Sequence, residues 1–329
     1  MIENHSKFMK NIVNIAPMMD WTDRHCRYFL RTLSPSAGLY TEMVTAAALK
    51  HGDARKLLQF DDSEHPVALQ IGGSNPELMA NAGRMGAAAG YDEININVGC
   101  PSDRVQSGQF GACLMSNPAL VADCVRAIRA VCELPVTIKT RIGIDDSDSD
   151  AFLRNFVATT AAAGCGTFVV HARIAILEGL SPKENRSIPP LNYERVYRLK
   201  QDMPALRVVL NGGINSVAEC YEHLAHVDGV MIGRQAYHQP WLLTALEREF
   251  GTGPVPRDRH HLVLQLLPYI KKELAEGSQL KHMTRHLLGL YAGQIGARAW
   301  RRHLSENAHI PGAGVEVLEE ALSKLPAAA

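Results

Sequence analysis

The stretch "PVTIKTRIGIDDSDSDAFLRNFVATTAAAGCGTFVVHAR", Pro135 to Arg173, holds one whole structural repeat. It opens on a β-branched run, Pro135–Gly143, crosses a polar turn, and continues from Ala151 to Ala163 as an Ala-rich segment of helical character. It then closes on a second apolar run, Thr167–Arg173. Strand, helix and strand in that order predict a βαβ unit with parallel strands. The acidic run Asp145–Asp150 sits ahead of the helix, where carboxylates favour the positive end of its dipole. It lacks EF-hand spacing and a terminal Glu, so no metal site is predicted there.

The same texture extends both ways. Runs of strand character lie at Ile12–Met18, Gly38–Met43, Val67–Gly73, Glu93–Gly99, Arg207–Gly213 and Asp228–Arg234. Helix-like stretches lie between them, among them Pro76–Ala89, Pro118–Cys132, Tyr193–Gln201 and Val217–Leu224. Asn75, Asn117 and Ser216 stand at cap positions, two of them just before a proline. Alternating strands and helices predict a parallel sheet covered on both faces. Eight such units predict a (β/α)8 TIM barrel, an α/β fold, with an open doubly wound sheet as the alternative because periodicity does not show closure. Past Gly251 the texture changes to a Gly/Pro-rich linker, "GTGPVPRDR", followed by helical patterns only. The expected organisation is a catalytic barrel over residues 1–250 and a small all-helical C-terminal domain over 256–329.

Composition narrows the class. Thirty-four basic residues balance thirty-four acidic ones, so any nucleic-acid signal must be local. Seven scattered cysteines without a CxxC pair argue against a disulfide framework and for reduced thiols in a cytoplasmic protein. "MIENHSKFMK" has no signal-peptide pattern, and no window has the apolar length of a membrane span.

In a barrel of this kind function gathers at the C-terminal strand ends. Those ends carry Pro17 and Met18, Glu42, Gln70, Asn97, Lys139, Arg141, His171, Asn211 with Gly212 and Gly213, and Gly233 with Arg234. Lys139 and His171 interrupt apolar runs, which an unpartnered charge would not do without a task. Glycines after the seventh and eighth strands lie where this fold commonly holds a phosphate. No GxGxxG follows any strand, so a mononucleotide such as FMN fits better than a dinucleotide on a Rossmann unit. Gly212, Gly213 and Arg234 would take its phosphate, Lys139 the N1/O2 side of the ring, and Gln70 and His171 the ring edge or ribityl chain.

"APMMDWTDRHCR" (Ala16–Arg27), "LQIGG", "NINVGCPSDRVQSGQFGACLM" (Asn95–Met115), "VTIKTRIGID", "VVHAR", "NGGI" and "GVMIGR" together resemble the tRNA-dihydrouridine synthases. "RIAILEGLSPKENRSIPPLNYERV" (Arg173–Val196) resembles the signature of the A-type subfamily. The resemblance runs from Ile15 to Phe250 and continues more loosely into the tail. It implies an FMN-dependent barrel, with Pro17, Met18, Met19, Asn211 and Gly233 among its flavin positions. It also implies a helical C-terminal domain, NADPH as reductant, and reduction of a uridine at position 20 or 20a of the tRNA D-loop.

That chemistry needs a hydride at C6 of uracil and a proton at C5, from opposite faces. An ordinary thiol is mostly protonated at neutral pH and can donate. Cys100, between Gly99 and Pro101 just past the fourth strand, matches the family's catalytic cysteine. Cys113, among small and apolar residues, reads as packing, and Cys26, Cys124, Cys132, Cys165 and Cys220 as core. By resemblance Asn97, Lys139 and Arg141 contact the extruded base, and Lys183 and Arg186, in the loop Ala172–Leu191, bind tRNA. From Lys281 to His303 the chain carries Lys281, Arg285, Arg298, Arg301 and Arg302 without an acid, a local basic stripe suited to phosphates. Arg298 and Arg301 share a helix face; Trp300 between them either packs inward or stacks.

The expected partner is tRNA, with no membrane and no obligate protein partner. Two other readings remain: a small-molecule pyrimidine or dihydroorotate dehydrogenase on the same barrel, and a non-catalytic RNA-binding module. The first has no need of a basic helical domain, and the intact set Gln70, Cys100, Lys139 and His171 argues against the second.

Overall fold

The structure, a computed structural model, describes residues 11–102 and 108–326. The N-terminal segment with no signal-peptide pattern, and Asp103–Ser107 of the cysteine loop, lie outside the described residues.

The predicted runs form parallel strands: β1 (Val13–Ile15), β2 (Leu39–Tyr40), β3 (Val44–Thr45), β4 (Val67–Gly72), β5 (Glu93–Val98), β6 (Val136–Arg141), β7 (Thr167–His171), β8 (Arg207–Asn211) and β9 (Gly229–Ile232). Their order is β1-β9-β8-β7-β6-β5-β4-β2, with β3 also paired to β4. Closure comes at Gly38, bridged to Asn14: Ile15 N donates to Gly38 O at 2.8 Å and Gly38 N to Val13 O at 3.0 Å. The sheet is therefore a barrel and not the open alternative. The run Gly38–Met43 does not persist as one strand. At Thr41 the side-chain Oγ1, in place of a backbone carbonyl, accepts the Gln70 N–H at 3.0 Å, and pairing resumes only at Val44.

Period-two alternation sorts the strands into two faces. Ile94, Ile96, Val98, Ile138, Phe168 and Val170 form an apolar set, each contributing roughly 1.5–3 kcal/mol on full burial. Gly86 of the Pro76–Ala89 helix lies so close to it that a Cβ there would meet Ile94 at 2.7 Å and Leu69 at 2.8 Å. The other face carries Glu93, Asn95, Asn97, Thr137, Lys139, Arg141 and His171, so the polar groups line the inside of the barrel. The helices begin as their caps predict. Asn75 accepts from Leu78 N, Asn117 from Leu120 N and Ser216 from Glu219 N, the last as a capping box. Cys26, Cys124, Cys165 and Cys220 are buried, whereas Cys132, just past the Pro118–Arg129 helix, is only half-buried.

The second compact unit is Asp20–Ala37 with Arg234–Ala329, the barrel unit keeping Met1–Met19 and Gly38–Gly233. The sequence reading drew a single division at 250–256. The difference has visible causes. In the Arg24–Leu33 helix, Arg24 pairs with Glu273 and Tyr28 stacks on Tyr269 at 3.7 Å, both partners lying in the Arg259–Ala275 helix. Ser34 Oγ and Ser36 Oγ donate to Glu247 of the Leu242–Phe250 helix at 2.6 and 2.7 Å. The predicted C-terminal helices appear as Arg259–Ala275, Leu280–Thr284, Ala297–Asn307 and Glu316–Ser323. Gly277, at φ +92°, follows the end of the first, where the sequence stop signal stood. Trp300 packs inward: it is fully buried and its Nε1 donates to Leu287 O at 2.9 Å. Among the described residues no helix is long and apolar enough to cross a membrane.

Candidate active site

The strand register brings the candidate side chains of the barrel together. Asn97 lies beside Lys139, Arg141 beside His171, and His171 beside Asn211. Beyond β5 the chain turns at once, because Asn97 Oδ1 accepts both Gly99 N (3.1 Å) and Cys100 N (3.0 Å). That Asx-type turn fixes the backbone under the Cys100 thiol. Ser102 Oγ lies 3.5 Å from Cys100 Sγ, and Cys100 O takes Ala112 N at 2.9 Å. Cys113, half-buried, turns its thiol into its own loop toward Phe110 O at 3.2 Å, and burial raises its pKa.

Arg141 is a tie between loops. Its Nε donates to Gly99 O at 2.9 Å, and its Nη1 to Ile174 O and Asn185 O at 2.9 Å each. Among the described residues Nη2 takes no hydrogen bond. Lys139 has neither a hydrogen bond nor an acidic partner among the described residues. Burial, and then the neighbouring Arg141 and Arg186, bring its pKa down to about 7, while proximity to Cys100 works the other way. Burial, and Arg186 and Arg173 beside it, lower Arg141 to about 10, again against Cys100. His171 is pushed well below the ordinary histidine value by burial and by Arg141, Lys139, Arg173 and Arg186, so its ring is neutral. Arg141, Lys139, Arg173 and Arg186 thus all act on His171, a setting that favours an anion.

The glycines beside them are spatially required. Gly212 and Gly213 have φ of +115° and +77°. A Cβ on Gly212 would fall 2.6 Å from His171 Cδ2, and one on Gly213 would fall 2.6 Å from both Leu191 and the Tyr193 hydroxyl. Tyr193 Oη in turn donates to Gly212 O at 3.0 Å. At Gly233 a Cβ would meet only Ala16, at 3.8 Å. Asn211 spends its side-chain amide on Met231 O at 2.7 Å and so braces β8 against β9. Pro17 is half-buried, Met18 buried and Met19 54% exposed just beyond β1, and Arg234 is exposed directly after Gly233. These cations beside bare glycine backbone fit the phosphate and the electron-rich ring edge of FMN.

Lys183 and Arg186 are exposed on the loop Ala172–Leu191. Between them the fully buried Asn185 clasps the loop: Oδ1 accepts Ile176 N at 2.8 Å, and Nδ2 donates to Ile176 O at 2.8 Å and Leu180 O at 3.1 Å. In the helical unit the basic stripe divides. Arg285 and His286 are held by Asp23, at 2.6 and 3.0 Å. Burial alone would raise the Asp23 carboxyl, yet His286 and Arg285 bring it well below the usual carboxylate range. Arg298, Arg301 and Arg302 of the Ala297–Asn307 helix are exposed and make no ion pair among the described residues. Reading strand ends alone missed Glu93, Asn95, Thr137 and Asn185. The first three were signalled by alternation in "EININV" and "VTIK", whereas Asn185 had no local signal.

The family model described as "Dihydrouridine synthase (Dus)" matches residues 14–326. The chain is 57% identical over 316 residues to the tRNA-dihydrouridine(20/20a) synthase of Vibrio cholerae serotype O1, covering 95% of this chain and 96% of that protein. It is 59% identical over 311 residues to the protein of the same name from Salmonella typhimurium, with 94% and 93% covered. For that of Escherichia coli K12 the values are 58% over 311 residues, with 94% and 90% covered. With a match across nearly the whole chain, this protein belongs to the dihydrouridine synthase family.

Proposed function

We propose that this enzyme reduces the C5–C6 double bond of a uridine in the tRNA D-loop, at position 20 or 20a, with FMN as cofactor and NADPH as reductant, in the cytoplasm. The observation that carries the reading is the Cys100 turn, anchored by Asn97 and Arg141 beside Lys139, whose pKa burial and the nearby Arg141 and Arg186 bring down. FMN, when bound and reduced, supplies the hydride that C6 receives. The chain's residues do the rest. Cys100 Sγ gives its proton to C5 from the opposite face of the base. Asn97, with one Nδ2 hydrogen not taken by Gln70, and Arg141, through Nη2, offer donors to the uracil oxygens. Lys139 sits where negative charge at the N1/O2 edge of the ring is stabilised. Gln70 and neutral His171 hydrogen-bond the ring edge or ribityl chain, with Pro17, Met18 and Met19 against the ring. Gly212, Gly213 and Gly233, with Arg234 next in the chain, take the phosphate. Lys183 and Arg186, and in the helical unit Arg298 and Arg301, contact tRNA phosphates. NADPH uses the mouth before tRNA, because both must reach the same ring.

A spectroscopic titration tests the assignment. Purified protein with FMN should be yellow, bleach on anaerobic addition of NADPH, and regain colour when tRNA lacking dihydrouridine is added. Return of colour with free uracil or orotate, and not with tRNA, would instead place it among the small-molecule reductases.

A further inference from the structure

Five buried polar side chains inside the barrel form one continuous line. Asn97 Oδ1 is occupied by the backbone N–H groups of Gly99 and Cys100, so its Nδ2 must face Gln70, whose Oε1 accepts it at 2.8 Å. Gln70 Nε2 therefore faces Asn95 Oδ1, at 2.8 Å. Asn95 Nδ2 then donates to Thr137 Oγ1 at 2.7 Å, and the Thr137 hydroxyl to Glu93 Oε1 at 2.5 Å. Every donor points away from Cys100 and toward the Glu93 carboxyl. The direction is set from the Cys100 end, because backbone N–H groups only donate; Glu93, its pKa raised to about 7 by burial, closes the line as the acceptor of the Thr137 hydroxyl.

Nothing in barrel packing asks for this. The same interior face carries Val169 on β7 and Val209 on β8. All five side chains are at most 9% exposed, and a buried polar group left unpaired is costly, so the line is tolerated only when complete. What it confers is direction. A reversed Gln70 or Asn97 amide would exchange donor for acceptor where flavin and uracil are to be met, and would release the Cys100 N–H. Glu93 itself is held by Tyr40 as well as Thr137, with Arg207 and Asp92 near it, at the end of β5 opposite to Cys100.

We propose that Glu93, Thr137 and Asn95 are positioning residues, which act through this one-directional chain to set the side-chain amides of Gln70 and Asn97 and the backbone beneath Cys100. The proposal rests on the function assigned above for its catalytic consequence, and on geometry alone for its effect on Cys100.

The test is Thr137→Val against Thr137→Ser. Valine keeps the shape and removes the hydroxyl, leaving Asn95 Nδ2 and Glu93 Oε1 without their partner. Turnover should fall about 10- to 100-fold in kcat, as for a misplaced reacting group, with the KM for tRNA little changed. In flavin-free protein the rate of Cys100 alkylation by iodoacetamide, followed by peptide mass spectrometry, should change roughly threefold or more. Thr137→Ser should return both values toward those of the unaltered enzyme. Unchanged kcat and alkylation in Thr137→Val would overturn the proposal, as would a serine variant as impaired as the valine one, which marks a packing defect. Should Thr137→Val fail to fold, Glu93→Met against Glu93→Gln asks the same question, because glutamine keeps an acceptor for Thr137 and methionine does not. If no variant and no unaltered protein reduces tRNA, the functional reading fails, while the alkylation contrast still decides the chain.

Discussion

Exchanging Cys100 for alanine removes one proton donor and leaves the Asn97 turn intact, since that turn uses the backbone N–H. Cys100→Ala should keep flavin and tRNA affinity while single-turnover reduction slows about 10²- to 10⁴-fold, the range for a lost general acid. Cys113→Ala should stay active, its thiol being engaged with Phe110 O. Lys139 gives a second prediction at this scale. With its pKa brought down to about 7 by burial, the amine is charged below that pH and neutral above it. The electron-rich N1/O2 edge of a bound flavin favours the charged, donating amine and raises that pKa, so binding takes up a proton above pH 7. FMN affinity measured by fluorescence quenching should therefore be flat below about pH 7 and weaken above it, by up to about tenfold per unit, and Lys139→Met should abolish the slope. A flat profile in the unaltered enzyme would separate Lys139 from the flavin. Lys139 stood out in the sequence because a lysine interrupts an apolar run, and Cys100 because it lies between Gly99 and Pro101 just past a strand and matches the family's cysteine. Glu93 and Asn95 were equally visible in "EININV" but were read only as strand, because strand-end reasoning looks at termini and not at the inner face.

At the scale of elements, the Asn185 side chain is one of the ties that hold the loop Ala172–Leu191. Asn185→Ala removes four side-chain hydrogen bonds, about 2–4 kcal/mol at the usual net value per bond. Denaturant unfolding should register that loss. Because Asn185 O also accepts Arg141 Nη1, the KM for tRNA should rise more than the Kd for FMN. Most elements could be read directly, since caps such as Asn75, Asn117 and Ser216 and apolar runs such as Thr167–Arg173 are local signals. The interruption of Gly38–Met43 could not be read, because it depends on the Thr41 side chain replacing a carbonyl across a strand pair. Nor could the clasp, whose partners at Ile176 and Leu180 lie in irregular chain. The Arg24–Leu33 helix sits in sequence where a barrel helix is expected. Only its partners Glu273 and Tyr269, far along the chain, assign it to the helical unit.

For the whole molecule, zero net charge is compatible with a polyanionic substrate because the cations are gathered locally. Arg298 and Arg301 are exposed and without an ion pair among the described residues, whereas Arg285 is committed to Asp23. Replacing both Arg298 and Arg301 by alanine should weaken tRNA binding and reduce the steepness of log K against log salt by about 1.5, while NADPH still bleaches the flavin at the normal rate. Loss of flavin reduction in that variant would contradict the division between barrel chemistry and helical recognition. The central claim is tested most directly by incubating tRNA lacking dihydrouridine with the protein, FMN and NADPH, then mapping nucleosides by mass spectrometry. A gain of about two mass units, the two hydrogens delivered, on D-loop uridine at position 20 or 20a, and its disappearance with Cys100→Ala, is the predicted result. No gain on any tRNA uridine from protein whose flavin is bound and NADPH-reducible would contradict the account.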